Sequence, residues 1–159
     1  MKKRISLCLL LIIQFGIAQV KVPQSSPHMI MKQPVGLTEV EIDYSRPSMK
    51  GRTIMGDLVP YNEIWRTGAN NNTILKFSDP VKVGGKNIKA GSYALYTKPG
   101  LENWTLYFYT DTDNSGIPKN WDTTKIATTL IIPVKKRATP LETFTISLDN
   151  LSNDGAIIN

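Results

Sequence analysis

The sequence predicts an all-β protein, a single-domain antiparallel β-sandwich, with a β-barrel-like arrangement of the same strands as the alternative. Three observations indicate this fold class. Apolar and polar residues alternate with period two along most of the chain, and clusters of Gly, Pro, Asn and Asp separate the alternating runs. No window of helical length carries an apolar stripe with a 3.6-residue period. A chain of 159 residues is long enough to bury one core.

The first 18 residues have the three parts of a secretory signal peptide. Lys2, Lys3 and Arg4 form a cationic start, residues 5–13 are an apolar run, and residues 16–18 are small enough for cleavage. The apolar run is short for a membrane span, although an uncleaved anchor is the alternative. We therefore expect an exported protein, in the periplasm or at the cell exterior, with no transmembrane span after cleavage.

Cleavage would change the chemistry of the chain. Cys8, the one cysteine, would be lost, so we expect no disulfide and no cysteine ligand. The formal net charge would fall from +6 to +3, with 16 Lys and Arg against 13 Asp and Glu. This modest charge argues against a nucleic-acid partner. One histidine excludes a histidine zinc site, and we expect neither a metal nor a cofactor.

Residues 19–34 are rich in Pro, Ser and Gln and predict a flexible lead-in, so the β domain is expected over residues 35–159. Its clearest strand is 38–44, where Val40, Ile42 and Tyr44 share one face and the acidic residues share the other. Gly84 and Gly85 predict a hairpin turn because glycine accepts positive φ. The other predicted strands are 73–78, 81–83, 87–89, 92–97, 104–109, 126–134 and 143–148.

Two segments depart from this regular pattern. Residues 58–65 are the best candidate for a short helix, since Pro60 suits a first turn and Gly68 could end it. Residues 153–155 (Asn-Asp-Gly) are a hairpin signal followed by only four residues. Because a returning strand usually has five or six residues, we expect the chain to stop partway through its last strand.

The segment from Tyr44 to Asn70 is the predicted functional site. It gathers cations, turn-forming residues and an indole in a stretch that is neither strand nor helix. Guanidinium groups could bind an anionic ligand and the indole could stack on a carbohydrate. A purely structural role is the alternative, in which nearby carboxylates pair with the arginines. The candidate ligand-binding residues are Arg46, Arg52, Trp65, Arg66 and Asn70, and the candidate pairing carboxylates are Asp43, Asp57 and Glu63.

Three other patterns in the sequence could indicate functional sites. Residues 111–116 imitate the start of a calcium loop, but Lys119 and Asp122 fall where ligands are needed, so an ordinary polar loop is expected. His28 lies in the lead-in and is expected to be solvated. The tyrosines of two neighbouring strands could form a carbohydrate face or simply cross-strand packing pairs. These tyrosines are Tyr93, Tyr96, Tyr107 and Tyr109.

Six short motifs together resemble a known family. They are Ile42-Asp43-Tyr44-Ser45-Arg46-Pro47, Lys50-Gly51-Arg52, Trp65-Arg66-Thr67-Gly68-Ala69-Asn70, Gly91-Ser92-Tyr93-Ala94-Leu95-Tyr96, Glu142-Thr143-Phe144-Thr145-Ile146 and Asp154-Gly155-Ala156. With these motifs the chain resembles the DUF2911 family of exported bacterial proteins, over about residues 35–159. The resemblance implies no activity, because none is established for the family. Its members usually continue with a further strand that carries a Trp-Glu pair, in agreement with the incomplete last strand expected above.

The sequence therefore predicts an exported domain that acts as a non-enzymatic binding or envelope-associated module, with an anionic or carbohydrate ligand. The alternative is a hydrolase of a glycan or ester with Asp57 or Glu63 as its acid/base. A hydrolase requires a carboxylate that faces a cleft beside the arginines, whereas a binding module requires only exposed donors and a stacking surface.

Overall fold

The computed structural model describes residues 22–159. The predicted signal peptide and the start of the lead-in lie outside the described residues. Six strands form one antiparallel sheet in the order β1-β2-β3-β6-β7-β8, and two short hairpins, β4-β5 and β9-β10, pair separately. The strands are β1 (His28–Val35), β2 (Thr38–Ser45), β3 (Thr73–Phe77), β4 (Val81–Val83), β5 (Lys86–Ile88), β6 (Gly91–Lys98), β7 (Asn103–Tyr109), β8 (Ile126–Pro133), β9 (Leu148–Asp149) and β10 (Ile157–Ile158).

The predicted all-β antiparallel class is confirmed. The main sheet is open, with β1 at one edge and β8 at the other, so the barrel-like alternative is wrong. Apart from one 3-10 turn at Thr123–Lys125, the regular structure of the described residues consists of strands. Residues 22–159 contain no helix that is both long and apolar enough to cross a membrane.

The strand β1 corrects the predicted boundary of the lead-in. Residues 28–34 were assigned to the lead-in, but they form most of β1 and pair along their length with β2. Met29, Met31 and Val35 pack against the core, while Ile30, Lys32 and Pro34 are exposed. Pro34 is tolerated because β1 is an edge strand, where one missing N–H donor costs little.

Both faces of the main sheet are covered. On the first face, Ile42, Tyr44 and Phe108 belong to a large apolar cluster that also contains Ile88 from β5 and Ile146 from the segment 142–149. The second layer on this face therefore consists of a short hairpin and an extended segment. On the opposite face, a smaller cluster contains Ala94, Tyr96 and Tyr109, against which Trp121 and Ile64 pack.

The predicted helix at 58–65 is wrong. Residues 54–59 instead form a tight turn in which the Val59 N–H donates to the Ile54 carbonyl at 2.8 Å, and Met55 forms a β-bridge with Val59. Further along, Asn62 has φ of 63°, which is outside the right-handed helical region. The local helix signal does not prevail, because backbone groups of residues 54–59 form hydrogen bonds within the turn.

The predicted strand 143–148 forms only in part. Residues 144–147 are not assigned to a strand, and β9 begins at Leu148. Ser147 nevertheless exchanges two backbone hydrogen bonds with Asn159, at 3.0 and 2.9 Å, next to the pairing of β9 with β10. The segment is tied to the loop after β2, since Ser48 and Thr143 form a β-bridge and the Phe144 N–H donates to the Pro47 carbonyl at 2.8 Å. The predicted turn at 153–155 is present, because Ile157 pairs with Asp149 across it.

Tyr44 fixes this segment to the sheet. Its hydroxyl donates to the Ile146 carbonyl at 3.2 Å and accepts from the Ile146 N–H at 3.1 Å, and both bonds are buried. A Tyr44→Phe substitution would leave both backbone groups unpaired, so we expect it to lower the free energy of unfolding by about 2 kcal/mol. Urea unfolding monitored by circular dichroism measures the change.

Tyr61→Phe is the matched control for Tyr44→Phe, because the Tyr61 side chain is exposed. We expect it to change the free energy of unfolding by less than about 0.5 kcal/mol. Equal effects of the two substitutions would show that the Tyr44 hydroxyl does not hold the segment.

Candidate functional site

A cavity of about 710 Å³ lies between the loop after β2 and the segment before β9. Its lining residues come from within the stretches 47–59, 65–69 and 141–145, although Asp57 and Glu142 are not among them. Ser25 and Ser26 are contributed by the segment that precedes β1. A volume of this size is typical of small-molecule sites, which occupy about 300–1,000 Å³. The segment that the sequence selected, residues 44–70, therefore supplies most of the lining residues of the cavity.

Trp65 and Phe144 form the aromatic part of the wall. Trp65 is anchored to β6, because its N–H donates to the Thr97 carbonyl at 2.7 Å and its carbonyl accepts from the Thr97 N–H at 2.9 Å. Its ring meets Phe144 edge to face at 5.3 Å between centroids and meets Trp104 at 6.3 Å. These contacts fix the indole before any ligand arrives.

Three cationic residues, Lys50, Arg52 and Arg66, also line the cavity, and none of its described lining residues is Asp or Glu. Arg52 donates to two backbone carbonyls, those of Met49 at 2.9 Å and Ser48 at 2.7 Å. Carbonyls hold the guanidinium in place without neutralising its charge. The lining therefore carries positive charge beside an apolar surface.

Arg66 has an unusual environment. It is half-buried, and its Nε is buried without a hydrogen-bond partner among the described residues. Its Nη1 lies near the loop at Gly116, where an added Cβ would be 3.8 Å from it, and Gly116 is not a lining residue of the cavity. A buried guanidinium N–H without an acceptor is costly, and because this Nε is buried, a ligand could reach it only after the side chain moved.

The structure separates the five predicted ligand-binding residues. Arg52, Trp65 and Arg66 line the cavity, whereas Arg46 lies behind its wall. Arg46 donates from Nε to the Phe144 carbonyl at 3.2 Å and from Nη2 to Thr145 Oγ1 at 2.9 Å, so it supports the segment that carries Phe144. Asn70 lies in a neighbouring pocket.

The carboxylates that were expected to pair with these arginines do not do so among the described ion pairs. Asp43 contacts His28, with Oδ1 2.5 Å from Nε2. Asp57 and Glu63 are exposed and are not part of the cavity lining. Arg46 and Arg52 are held by carbonyl and hydroxyl oxygens, which the structural interpretation of the sequence did not anticipate.

Sequence reasoning missed Lys50 and Phe144 as lining residues. Lys50 was visible in the selected segment, and its φ of 50° marks a constrained turn. Phe144 is about a hundred positions from the loop that it faces, and no local pattern brings the two together. The alternating pattern around Phe144 predicted a buried side chain, but it did not show that this side chain faces the loop after β2.

A second, polar pocket of about 550 Å³ adjoins the cavity. Ser25 and Ser26 line both spaces. The other residues that line the polar pocket are Gln24, His28, Ser45, Asn70 and Asn71. His28, expected to be a solvated residue, is half exposed at 52% but has Asp43 as a partner. Ser45 Oγ accepts a hydrogen bond from Asn70 Nδ2 at 3.3 Å.

The calcium-like segment 111–116 uses its polar groups within the fold. Lys125 Nζ lies 2.5 Å from Asp111 Oδ2, and this hydrogen bond holds the pKa of the Asp111 carboxyl below its usual value. Asp122 caps the 3-10 turn by accepting from the Thr124 N–H at 2.9 Å. The described residues contain no group of three or more His, Cys, Asp or Glu side chains arranged to hold a metal.

The tyrosines form packing pairs. Tyr93, Tyr96 and Tyr109 are buried, and Tyr107 lies half-buried against Trp121. Tyr93 and Tyr96 belong to apolar clusters on opposite faces of the sheet, so the predicted tyrosines do not share one surface. The packing interpretation fits this arrangement and the carbohydrate-face interpretation does not.

The model of a protein family of unknown function, DUF2911, matches residues 26–159 of the chain. The chain belongs to the DUF2911 family. The match covers the cavity, and it begins ahead of β1, so it includes the strand that was assigned to the lead-in. Comparison with curated proteins and with solved structures gives no match. Membership in DUF2911 therefore supplies no activity, and functional inference depends on the site.

Tyr96 links the sheet to the loop at Gly116. Its hydroxyl donates to the Gly116 carbonyl at 3.0 Å and accepts from Asn72 Nδ2 at 2.7 Å. Burial raises the pKa of Tyr96 to about 12, because the phenolate would lose its hydration. The folded state therefore holds this proton more tightly than the unfolded state, in which the pKa is near 10.0.

The stabilisation linked to this proton is complete below pH 10 and is lost as the pH rises through about 12. We expect the difference in the free energy of unfolding between the wild type and Tyr96→Phe to shrink across that window. Urea unfolding at successive pH values measures it, and the lysines cancel in the difference. A difference that stays constant over the window would contradict the raised pKa of Tyr96.

Proposed function

We propose that this protein is an exported, non-enzymatic binding module whose cavity holds a small anionic ligand with an apolar body. One observation carries the proposal: Lys50, Arg52 and Arg66 line the same cavity as Trp65 and Phe144, and no carboxylate is among the described lining residues. Cationic side chains beside an apolar wall are suited to a ligand that carries one anionic group on an otherwise apolar body.

The electrostatics of the lining support this choice. The guanidinium of Arg52 is held by carbonyl oxygens, so it is positioned while its charge remains available. Arg66 adds a second positive charge to the lining, although its Nη1 lies near Gly116, which is not a lining residue. A carboxylate or phosphate would gain charge-assisted hydrogen bonds without first breaking an ion pair.

The geometry favours binding over hydrolysis. A glycan or ester hydrolase would need Asp57 or Glu63 to face the cavity, and both side chains are exposed outside its lining. The aromatic wall and the cations are already positioned, which reduces the entropic cost of binding. The predicted signal peptide would place such a module outside the cytoplasm, where it could capture a ligand in the periplasm or beside the envelope.

Titration with straight-chain carboxylates from butanoate to decanoate, followed by tryptophan fluorescence, tests this function. We expect a saturable change, because the Trp65 indole forms part of the wall, and weaker binding of the matching neutral alcohols. A Lys50→Gln/Arg52→Gln double variant should bind the best carboxylate more weakly by at least about tenfold, since each charge-assisted hydrogen bond is worth about 1.5–3 kcal/mol.

Lys82→Gln/Lys89→Gln is the control for charge, because both lysines are exposed and lie outside the cavity lining. It should bind the carboxylate as the wild type does. No saturable change with any carboxylate, or equal affinity for the alcohol and the acid, would overturn the proposed function.

A further inference from the structure

The cavity and the polar pocket follow one another along a single loop. Trp65, Arg66, Gly68 and Ala69 line the cavity, and the next two residues, 70–71, line the polar pocket. On the opposite side, Ser25 and Ser26 line both spaces. The two spaces therefore share two of their walls and form adjoining parts of one region.

The two spaces differ in chemistry. The cavity combines aromatic, aliphatic and cationic side chains, whereas every residue that lines the pocket is polar, and two asparagines and a glutamine supply amides. An amide offers donors and an acceptor together, which suits a hydroxyl group that both donates and accepts. The pocket is therefore suited to a hydroxylated group and the cavity to an apolar group and a charge.

The loop between the two spaces is held in a strained shape. Thr67 and Asn70 each have φ of 58°, in the left-handed region that non-glycine residues seldom adopt. Thr73 Oγ1 donates to the Thr67 carbonyl, and Asn70 Nδ2 donates to Ser45 Oγ and to the Ser26 carbonyl, each at 3.3 Å. A strained backbone conformation that neighbouring contacts hold in place is often found at binding sites.

The glycine between these two residues shows why the loop has this path. Gly68 has φ of 147°, and a Cβ there would lie 3.2 Å from the Ser45 carbonyl oxygen. Its backbone therefore lies against the end of β2 with no room for a side chain. This close contact presents Ala69 to the cavity and Asn70 and Asn71 to the polar pocket.

Asn71 is the pocket residue whose side chain is most available to a ligand. It is exposed, and among the described hydrogen bonds none uses its side-chain amide, whereas the Asn70 amide is occupied by Ser26 and Ser45. Replacement of Asn71 by alanine removes a polar group from the pocket without removing a described contact of the fold.

We propose that the ligand is an acidic sugar with an apolar substituent, which lies across both spaces. Its hydroxyl groups occupy the polar pocket, its apolar substituent packs against Trp65 and Phe144, and its anionic group is met by the cations of the cavity. This inference rests on the proposed function, because it extends the same site and adds the hydroxylated half of the ligand.

Three probes separate the parts of this ligand. Hexyl β-D-glucuronide has the apolar chain, the charge and the hydroxyl groups, hexanoate lacks the sugar, and hexyl β-D-glucoside lacks the charge. Isothermal titration of the full chain gives the Kd of each. We expect the glucuronide to bind about tenfold more tightly than hexanoate, since several neutral hydrogen bonds of about 0.5–1.5 kcal/mol are added.

Two variants assign each half of the probe to its space. Asn71→Ala should weaken both glycosides about fivefold and leave hexanoate unchanged, because one neutral hydrogen bond is lost. Lys50→Gln should weaken the glucuronide and hexanoate but not the glucoside. Asn120→Ala, an exposed asparagine outside both linings, should change none of the three affinities.

The outcomes distinguish this inference from the function on which it rests. Equal affinities for hexanoate and the glucuronide would overturn the inference and leave the proposed function standing. A loss of hexanoate binding in Asn71→Ala would also overturn it, because the residue would then act on the cavity itself. Absence of binding by all three probes would overturn both.

Discussion

The cavity depends on the pair of buried hydrogen bonds between the Tyr44 hydroxyl and the backbone of Ile146. The segment 142–149 packs on one face of the six-stranded sheet and contributes no strand to it, so no strand ladder joins the two. The phenol supplies that join, and the apolar cluster around Ile146 closes over it. Phe144 then reaches the loop after β2, and the space between them becomes the cavity.

The arginines of the site region have two different roles. Arg46 bonds to the carbonyl and hydroxyl oxygens of the segment that carries Phe144, and it acts as a support. Arg52 folds back on the carbonyls of its own turn and remains in the lining. The segment that the sequence analysis treated as one site therefore divides its arginines between a supporting position and a position in the cavity lining.

Period-two alternation predicted the strands of the main sheet well, because a half-buried strand must alternate. It missed β1, where Lys32 and Pro34 on the exposed side resemble a loop and burial is only partial. The helix predicted at 58–65 came from local helix signals and does not form. Such signals cannot show that Val59 bonds back to Ile54. Arg52, Trp65 and Arg66 were found from composition, but the Phe144 carbonyl that accepts from Arg46 lies 98 positions away and leaves no local pattern.

The separation of 102 residues between Tyr44 and Ile146 has a consequence for kinetics. To form a contact across so long a chain segment, the chain must lose loop-closure entropy before the contact contributes stability. Such contacts make β proteins slow to fold. The hairpins of the main sheet join neighbours in sequence and can form earlier. The cavity wall is then among the last parts to assemble, so a ligand held there would slow unfolding and leave the folding rate nearly unchanged.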